Sequence, residues 1–491
     1  MANPHQIKQA GDYQLEVAEI ISYRIHGEEQ EPYRMDIKNI TLALELVEDI
    51  FSPSIMGEIT VYDTQDVRTI LPITGMERLN LKFSTPGVSG INAVEGDGWP
   101  FQIYKISEVR VDENNPKAQA YTIHFCSAEA YTNGTKRVYN AFEGPLEQNV
   151  FELIRNEQFL NSTKPLYYEP SKTNTKWICP SLKPFSAIRQ MAKYTESQAY
   201  KNTGYLFYET HSGYFLRSFE SMMAMGGAIA RPEKWHYKYQ VSNVRPQGDV
   251  RPVRFDMRNV IKYDFTSPVN VLAGINKGEY ASTLITHDAF YKTYKYTNYN
   301  YKEQFNKHFH LEHSNGQKTD DKLTIPETLF DGQTSVYERP ASKLMLKSGT
   351  SHIHNTYDTP DKTKDFALQH RVSQMAALDN RNLNLLVFGN STIQAGDIIR
   401  FDMPMMTPLG HNKKQELNQY DSGRYLITRV KHVISVSAGR YEQVLNCFKD
   451  SVQTPYPKET DYKSADTTSG DIHNIYEGDK NILKEELLEY I

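Results

Sequence analysis

The chain has 491 residues, too many for a single hydrophobic core, and its length predicts about three domains. It carries 55 basic and 60 acidic residues, a formal charge of −5, which argues against a nucleic-acid-binding protein because such proteins present a basic surface. No apolar run is long enough to cross a membrane, and the polar first residues do not resemble a signal peptide. The three cysteines, Cys126, Cys179 and Cys447, are widely spaced, which argues against a disulfide framework and favours a reducing compartment.

Short strands separated by turn-rich joints are predicted over the first quarter of the chain. This pattern is typical of an antiparallel β-sandwich or barrel. The predicted strands are Tyr13 to Tyr23, Asp36 to Val47, Met56 to Tyr62, Arg78 to Phe83, Phe101 to Val111 and Ala120 to Ser127.

The same β-module is predicted near each end of the chain. Both copies have a strand that runs into a proline (Pro86, Pro404), a long alternating strand, a turn and a last strand that contains a cysteine. The long strands align at a constant offset of 324, and a repeat of this kind constrains the architecture. The aligned pairs are Phe101 with Tyr425, Ile103 with Ile427, Lys105 with Arg429, Ile106 with Val430, and Val109 with Val433.

Residues 136–232 predict a small α+β domain. Apolar residues recur at helical spacing after Leu146 and after Phe185, and Pro184 suits the first turn of the second helix. A hairpin follows, and we expect its aromatic residues to pack one face against the second helix. Those residues are Tyr205, Phe207, Tyr214 and Phe215.

The sequence of the remaining chain predicts a second barrel that is split by an inserted domain. A strand from Asn259 to Phe265 is followed by a polar tract, and a helix from Phe366 to Leu378 leads back to the second β-module. A tract of this length is more typical of an inserted domain than of a loop. The sequence thus predicts a mainly β protein with an α+β part. Its predicted parts are a first barrel (1–135), a small α+β domain (136–232), a second barrel (233–266 and 366–450), an inserted domain (267–365) and a flexible tail (451–491) with a short helix from Ile482 to Tyr490.

This order of parts resembles the baseplate central hub proteins of contractile-tailed phages, over roughly residues 10 to 450. The chain differs from that family in its longer insertion and its extra tail. The residues that carry the resemblance are Trp177, Pro184-Phe185, Tyr205, Phe207, Glu209, Gly213-Tyr214-Phe215, Phe219, Gly278-Glu279-Tyr280-Ala281, His287-Asp288 and Gly396-Asp397-Ile398-Ile399-Arg400-Phe401.

The resemblance implies a homotrimer in which two tube-protein-like barrels per chain form a pseudo-sixfold ring. Its implied partners are a tail-tube or tube-initiator protein above, a central spike protein below and baseplate wedge proteins. It implies a virion protein assembled in the host cytoplasm, with DNA passing through the ring, no sequence-specific nucleic-acid contact and no membrane insertion. Because the net charge is negative, we expect a neutral or acidic inner wall.

A histidine-rich segment is the strongest metal candidate. His308, His310 and His313 lie close together, with His352 and His354 further on, and imidazole is a ligand for zinc or iron. No cysteine or closely spaced carboxylate completes a ligand set, and the neighbours look solvated. We therefore expect surface histidines in a β-hairpin and predict neither a metal nor another cofactor.

No catalytic residue is predicted. Carboxylates that could serve a glycoside hydrolase are Glu209, Glu220, Asp256 and Asp264, but carboxylates are abundant in this chain. A serine-hydrolase elbow and a phosphate-binding glycine loop are both missing from the sequence. The leading hypothesis is a structural hub without enzymatic activity. A tail adhesin that binds host glycan and a cell-wall hydrolase are the alternatives.

Overall fold

The computed structural model of the chain describes residues 7–23, 32–113, 115–172, 174–193, 195–200, 203–224, 232–240, 253–267, 270–288, 292–312, 323, 335–339, 343–348, 362–378, 381–405 and 417–452. Strands dominate these residues. In chain order the strands are β1 (Gln14–Ser22), β2 (Tyr33–Asp36), β3 (Thr41–Asp49), β4 (Met56–Asp63), β5 (Arg78–Ser84), β6 (Ile91–Ala93), β7 (Phe101–Val111), β8 (Gln119–Ser127), β9 (Ala141–Pro145), β10 (Leu166–Tyr168), β11 (Asn174–Ile178), β12 (Tyr205–Thr210), β13 (Gly213–Ser218), β14 (Glu233–Lys238), β15 (Val260–Ser267), β16 (Ala281–Asp288), β17 (Thr293–Asn300), β18 (Leu344–Ser348), β19 (Asn382–Phe388), β20 (Ile398–Asp402), β21 (Gly423–Ser435) and β22 (Arg440–Phe448).

The described α-helices are fewer than the described strands. They are α1 (Val67–Ile70), α2 (Ala128–Thr135), α3 (Leu146–Arg155), α4 (Pro184–Ala192), α5 (Phe219–Met223), α6 (Val253–Asp256), α7 (Val271–Lys277), α8 (Tyr301–Phe305) and α9 (Lys362–Ala377). None of the described helices is long and apolar enough to span a membrane.

One large, mainly antiparallel sheet of 14 strands organises the molecule. Its strand order is β15-β19-β22-β21-β3-β4-β8-β7-β5-β1-β2, with β20 and β14 branching from β21 and β6 from β5. Among the described strands this order is an open path that ends at β15 and β2. The chain is therefore mainly β with antiparallel sheets, as the sequence predicts.

The strand pairing repeats within this sheet. In the first module, defined as β3, β4, β5, β7 and β8, the pairs are β3 with β4, β4 with β8, β8 with β7 and β7 with β5. In the second module, defined as β15, β19, β20, β21 and β22, the pairs are β15 with β19, β19 with β22, β22 with β21 and β21 with β20. The chain therefore contains one pairing scheme twice, in the same chain order.

Irregularities of the ladder repeat as well. The β7–β8 ladder shifts between Ile103 and Lys105, and the β21–β22 ladder shifts between Ile427 and Arg429, the residues that the sequence alignment pairs. The β3–β4 and β15–β19 ladders also shift at matching places, before Ala43 and before Lys262. Because bulges are specific local features, their recurrence supports the repeat independently of side-chain similarity.

One aligned pair from the sequence is wrong. The β7–β8 ladder has a second shift between Ser107 and Arg110, where Glu108 has a left-handed φ of 56°. Beyond that bulge Arg110, not Val109, occupies the place of Val433, since Arg110 pairs with Ala120 as Val433 pairs with Glu442. An extra residue in one strand changes the offset, which a constant-offset alignment does not detect.

The predicted hairpin is β12 and β13, and both of its faces are buried. Tyr205, Phe207 and Tyr214 pack in one core cluster with Ile188 and Met191 of α4, as expected. Phe215 instead packs on the opposite face, in a cluster with Phe448 of the second module. Consecutive residues of a strand point to opposite faces, so Tyr214 and Phe215 do not share one. The hairpin thus joins the α+β part to the second module.

The polar tract contains ordered structure. Its strands form a three-stranded sheet in the order β17-β16-β18, next to a cluster of buried aromatic residues that includes Tyr280, Tyr301 and Tyr337. Gln369 of α9 donates through Nε2 to Ser282 and Thr297 carbonyl oxygens of this sheet, at 3.1 and 3.0 Å. The expected C-terminal helix from Ile482 to Tyr490 lies outside the described residues.

Candidate functional site

The two modules are joined edge to edge within the chain. β3 of the first module pairs with β21 of the second, in an antiparallel register that runs from Ala43 opposite Ser435 to Asp49 opposite Arg429. Lys431 Nζ lies 2.5 Å from Glu45 Oε2 across this junction. Continuous strand pairing therefore fixes the modules relative to each other.

Among the described strands, the counterparts of these two strands have edges that are wholly or largely unpaired. β7 occupies the place of β21. On the side of β7 that faces away from β8, the described strands pair only with Phe101 and Gln102. β15 occupies the place of β3 and ends the strand order. Val109 and Val111 of β7 are 46% and 59% exposed. Exposed strand edges without a partner strand are typical pairing sites for another chain.

A buried carboxylate reinforces the in-chain junction. Glu48, at the end of β3, accepts hydrogen bonds from the His211 backbone N–H at 2.8 Å and from the Ala395 N–H at 3.1 Å, while His211 Nδ1 lies 2.8 Å from Glu48 Oε1. Burial raises the pKa of Glu48, but the charge and hydrogen bonds of His211 outweigh it, so the pKa lies below its usual value. Glu48 therefore ties the first module to the β12–β13 turn and to the loop before β20.

Glu209, one of the carboxylates considered for hydrolysis, lies in a buried ionic network. Lys164 Nζ donates to Glu209 Oε1 at 2.6 Å and to Glu129 Oε2 at 2.5 Å. Ser127 Oγ and the Ile55 N–H donate to Glu209 Oε2 at 2.6 and 3.1 Å. Both oxygens of Glu209 are thus engaged between the first module and the α+β part, which indicates a structural link.

The other candidate carboxylates lie apart from this network. Glu220 is buried in α5 and contacts His308, whereas Asp256 is half-buried in α6 and Asp264 is exposed on β15. The structure thus gives each of the four a separate environment. No pair from this set is brought together as an acid and a base.

The prediction of surface histidines in a β-hairpin is wrong for His308 and His310. Both lie in the segment that follows α8 and are only 8% and 3% exposed. His310 Nδ1 lies 2.8 Å from Asp450 Oδ2, and His310 Nε2 donates to the Phe305 carbonyl at 2.9 Å. Long-range packing against the end of the second module buries this polar segment. His313, His352 and His354 lie outside the described residues.

His308 belongs to a cluster with Glu220 and His370. One donor atom from each of the three buried residues lies within 4.8 Å of the donor atoms of the other two. His308 Nδ1 contacts Glu220 Oε1, and the rings of His308 and His370 stack with centroids 3.7 Å apart. Burial, and then the charges of His308 and His310, lower the pKa of His370 well below its usual value. We call these three residues the histidine–carboxylate cluster.

Sequence reasoning missed this cluster and Glu48. Glu220 was considered only as a hydrolytic carboxylate, and His370 lies within a helix of low amphipathicity that gives no signal of a site. The three cluster residues come from α5, the segment after α8, and α9, which are far apart in the sequence. Only the three-dimensional fold brings them together.

No family model matches the chain, and no curated protein matches it. Among solved structures, the chain is similar to a tail protein from Neisseria meningitidis MC58, with 9% identity and a TM-score of 0.47 over 89% of this chain and 97% of that one. The 43 kDa tail protein of prophage MuSo2 from Shewanella oneidensis has 8% identity and a TM-score of 0.47 over 90% and 100%. A prophage tail protein from Listeria monocytogenes EGD-e has 8% identity and a TM-score of 0.43 over 88% and 94%. At these values the similarity does not by itself assign a function.

Proposed function

We propose that this chain is the hub of a phage-type tail baseplate, a homotrimer whose duplicated modules form a pseudo-sixfold ring. The observation that carries the proposal is the five-stranded pairing scheme present twice in one chain. Three such chains present six quasi-equivalent modules while keeping threefold symmetry elsewhere. The ring joins a sixfold tail tube to a threefold central spike and lets DNA pass, without enzymatic activity.

The unpaired edges supply a specific contact between chains. If the junction between chains repeats the junction within the chain, β15 of one chain pairs with β7 of the next, as β3 pairs with β21. Asp264 holds the place of Glu45, because Asp264 pairs with β19 as Glu45 pairs with β4. Arg110 holds the place of Val433, and Val433 faces Glu45 within the chain. Asp264 of one chain then lies opposite Arg110 of its neighbour.

Charge supports this register. By the same correspondence, Lys262 holds the place of Ala43 and Asp112 holds the place of Ser435. Because Ala43 faces Ser435 within the chain, Lys262 of one chain lies opposite Asp112 of its neighbour. Both cross-chain pairs therefore combine opposite charges, and opposite charges facing each other on neighbouring strands are stabilising. The in-chain junction carries its own ion pair, Lys431 with Glu45. Each module then continues into the next by strand pairing, which leaves no free edge at these strands.

The finer architecture belongs to the same proposal. Each module, with its neighbouring strands, corresponds to one tube-protein-like barrel, and the chain divides into the five parts predicted from its sequence. The tube-side and spike-side partners dock on opposite faces of the ring, and its inner wall is neutral or acidic.

A cysteine pair tests the contact between chains. Directly opposed residues of antiparallel strands have Cα atoms about 4.5 to 5.5 Å apart, within the range that a disulfide spans. We expect the double variant Asp264→Cys, Arg110→Cys to form disulfide-linked trimers under mild oxidation. The single variants and the misregistered pair Asp264→Cys, Ser107→Cys serve as controls. Trimers that form without the expected cross-link would reject this register, and the absence of trimers would reject the hub.

A further inference from the structure

A lysine and two glutamates, which we call the lysine–glutamate triad, lie together in the interior. Lys164 Nζ is 2.6 Å from Glu209 Oε1 and 2.5 Å from Glu129 Oε2. Lys164, Glu209 and Glu129 are only 4%, 1% and 6% exposed. The Lys164 ammonium also lies over the Tyr214 ring, 5.7 Å from its centroid. Because charges are costly to remove from water, a reaction that neutralises this triad is favoured by its surroundings.

The two carboxyl groups of the triad differ in their protonation. Burial raises the pKa of Glu209 by more than the charge of Lys164 lowers it, which favours the protonated acid. Burial also raises the pKa of Glu129, but the charge and hydrogen bond of Lys164 outweigh it, so this pKa lies below its usual value. Burial lowers the pKa of Lys164, but the two glutamates outweigh it and raise the pKa. One amino group therefore lies between a carboxylic acid and a carboxylate.

The hydrogen bonds of Glu209 suit attack on its carboxyl carbon. Ser127 Oγ donates to Glu209 Oε2 at 2.6 Å, and the Ile55 backbone N–H donates to the same oxygen at 3.1 Å. Two donors on one oxygen stabilise the negative charge that develops there when a nucleophile adds to the carbon. The other oxygen, Oε1, is the one that contacts Lys164, so the nitrogen is held next to the carboxyl group.

We propose that Lys164 and Glu209 condense to an isopeptide bond, an amide between their side chains, with loss of one water molecule. Glu129 first takes a proton from the Lys164 ammonium, which leaves a neutral amine. The nitrogen lone pair forms a bond to the Glu209 carboxyl carbon, and the bond from that carbon to Oε1 breaks. The Oε1 hydroxyl leaves with a second amine proton as water, and Oε2 becomes the amide carbonyl oxygen. The step needs no oxidant or cofactor, and the triad ends without a charge.

The bond fixes the hairpin that joins two parts of the chain. It links the segment before β10 to β12, across 45 residues of sequence. A covalent link that closes a loop restricts the unfolded chain and so stabilises the folded one. The β12–β13 hairpin packs on the second module through Phe215, so the bond strengthens the α+β part where that contact is made. The inference does not depend on the hub function.

The intact mass of the full chain, purified and then denatured, tests the proposal. We expect the wild type to be lighter than its sequence by one water molecule. Lys164→Arg keeps the positive charge but cannot form this amide. The matched control is Lys172→Arg, because Lys172 contacts Glu196 at 3.1 Å but is 55% exposed. The two variants have the same composition, so Lys164→Arg should be heavier than Lys172→Arg by the mass of one water molecule.

A second measurement covers the case in which Lys164→Arg does not fold. Protease digestion of the wild-type chain should yield a branched peptide in which Lys164 is joined to Glu209, as read by tandem mass spectrometry. Wild-type digests that contain only unlinked Lys164 peptides would overturn the proposal, and so would equal masses for the two variants. A branch from Lys164 to Glu129, or a folded Glu129→Gln variant that is linked as fully as the wild type, would overturn the roles given to the two glutamates.

Discussion

The two modules share their strand pairing but differ in what covers their long strands. In the second module, β3 pairs with β21 on the side that faces away from β22. His432 and Ile434 of β21 are buried there. In the first module, the corresponding part of β7 pairs with β8 but has no described partner strand on its other side, and Val109 and Val111 are exposed. One edge contact is therefore made within the chain, and its counterpart on β7 is the edge that the proposed hub uses between chains.

The modules also differ at their other edge. β1 pairs with β5 of the first module in an antiparallel direction and continues into β2, whereas β14 pairs with β20 of the second module in a parallel direction. The repeated part is therefore the five-stranded scheme, and the flanking strands are specific to each copy. In the proposed hub, such differences between copies give the ring two kinds of surface, one for a sixfold tube and one for a threefold spike.

The largest expected effect concerns Glu48, the buried carboxylate at the in-chain junction. Glu48 follows Val47 in β3, and Ser267 takes the place of Val47 in the second module, because Ser267 pairs with Asn382 as Val47 pairs with Met56. We predict that Glu48→Ala destabilises the chain by about 3–5 kcal/mol, because it leaves His211 and the Ala395 N–H buried without their acceptor. Denaturant unfolding measures the change. Glu45→Ala, which removes a half-exposed ion pair of the same strand, is the control and should cost about 1 kcal/mol or less.

The next effect is a pH dependence specific to the second module. Burial lowers the pKa of His432 to about 4, whereas its counterpart segment in β7 has no histidine. A histidine kept neutral by the fold stabilises it fully above its unfolded pKa of about 6.5, and this contribution is lost as the pH falls toward 4. The full loss corresponds to about 3 kcal/mol, at 1.36 kcal/mol per pKa unit.

His432→Gln should therefore flatten the fall in unfolding free energy between pH 6.5 and 4, as measured by denaturant titrations at a series of pH values. Glu48 contributes in the same direction but at lower pH, since its lowered pKa makes its stabilisation disappear only as that carboxylate protonates. An unchanged pH profile in His432→Gln would show that the imidazole is not held neutral by its surroundings.

The smallest effect tests the proposed contact between chains. Arg110→Asp should weaken assembly by about 1 kcal/mol per contact, because it places two carboxylates opposite each other on neighbouring strands. Adding Asp264→Arg should restore assembly by exchanging the charges. Sedimentation velocity at several protein concentrations measures the change. Lys295→Glu, an exposed charge reversal on β17, is the control and should leave assembly unchanged. Failure of the second change to rescue the first would contradict the register.

The sequence predicted the repeat because the periodicity of two is visible wherever a strand has one buried face. Phe101 and Ile103 are buried in the first module as Tyr425 and Ile427 are in the second. It did not predict the bulge at Glu108, since glutamate gives no signal of a left-handed backbone. The alignment therefore failed beyond that residue and concealed that Arg110 corresponds to Val433.

The buried polar groups were the least predictable part. His308 and His310 lie among charged and polar neighbours, which favoured a solvated surface, yet contacts with Glu220 and Asp450 bury them. Cys126 and Cys447 are buried in the last strand of each module, as expected, but they are not equivalent. Cys447 holds the place of Phe125, because Ile427 pairs with Cys447 as Ile103 pairs with Phe125. Such details depend on partners that are distant in the sequence.

The molar mass of the full chain in solution tests the central claim most directly. Light scattering coupled to size exclusion, at micromolar concentration and physiological salt, should give three times the chain mass of 56.6 kDa. The same mass should persist on dilution if the ring closes through β15 and β7 of successive chains. A stable monomer or dimer, also in the presence of the tube-side and spike-side proteins, would contradict the account.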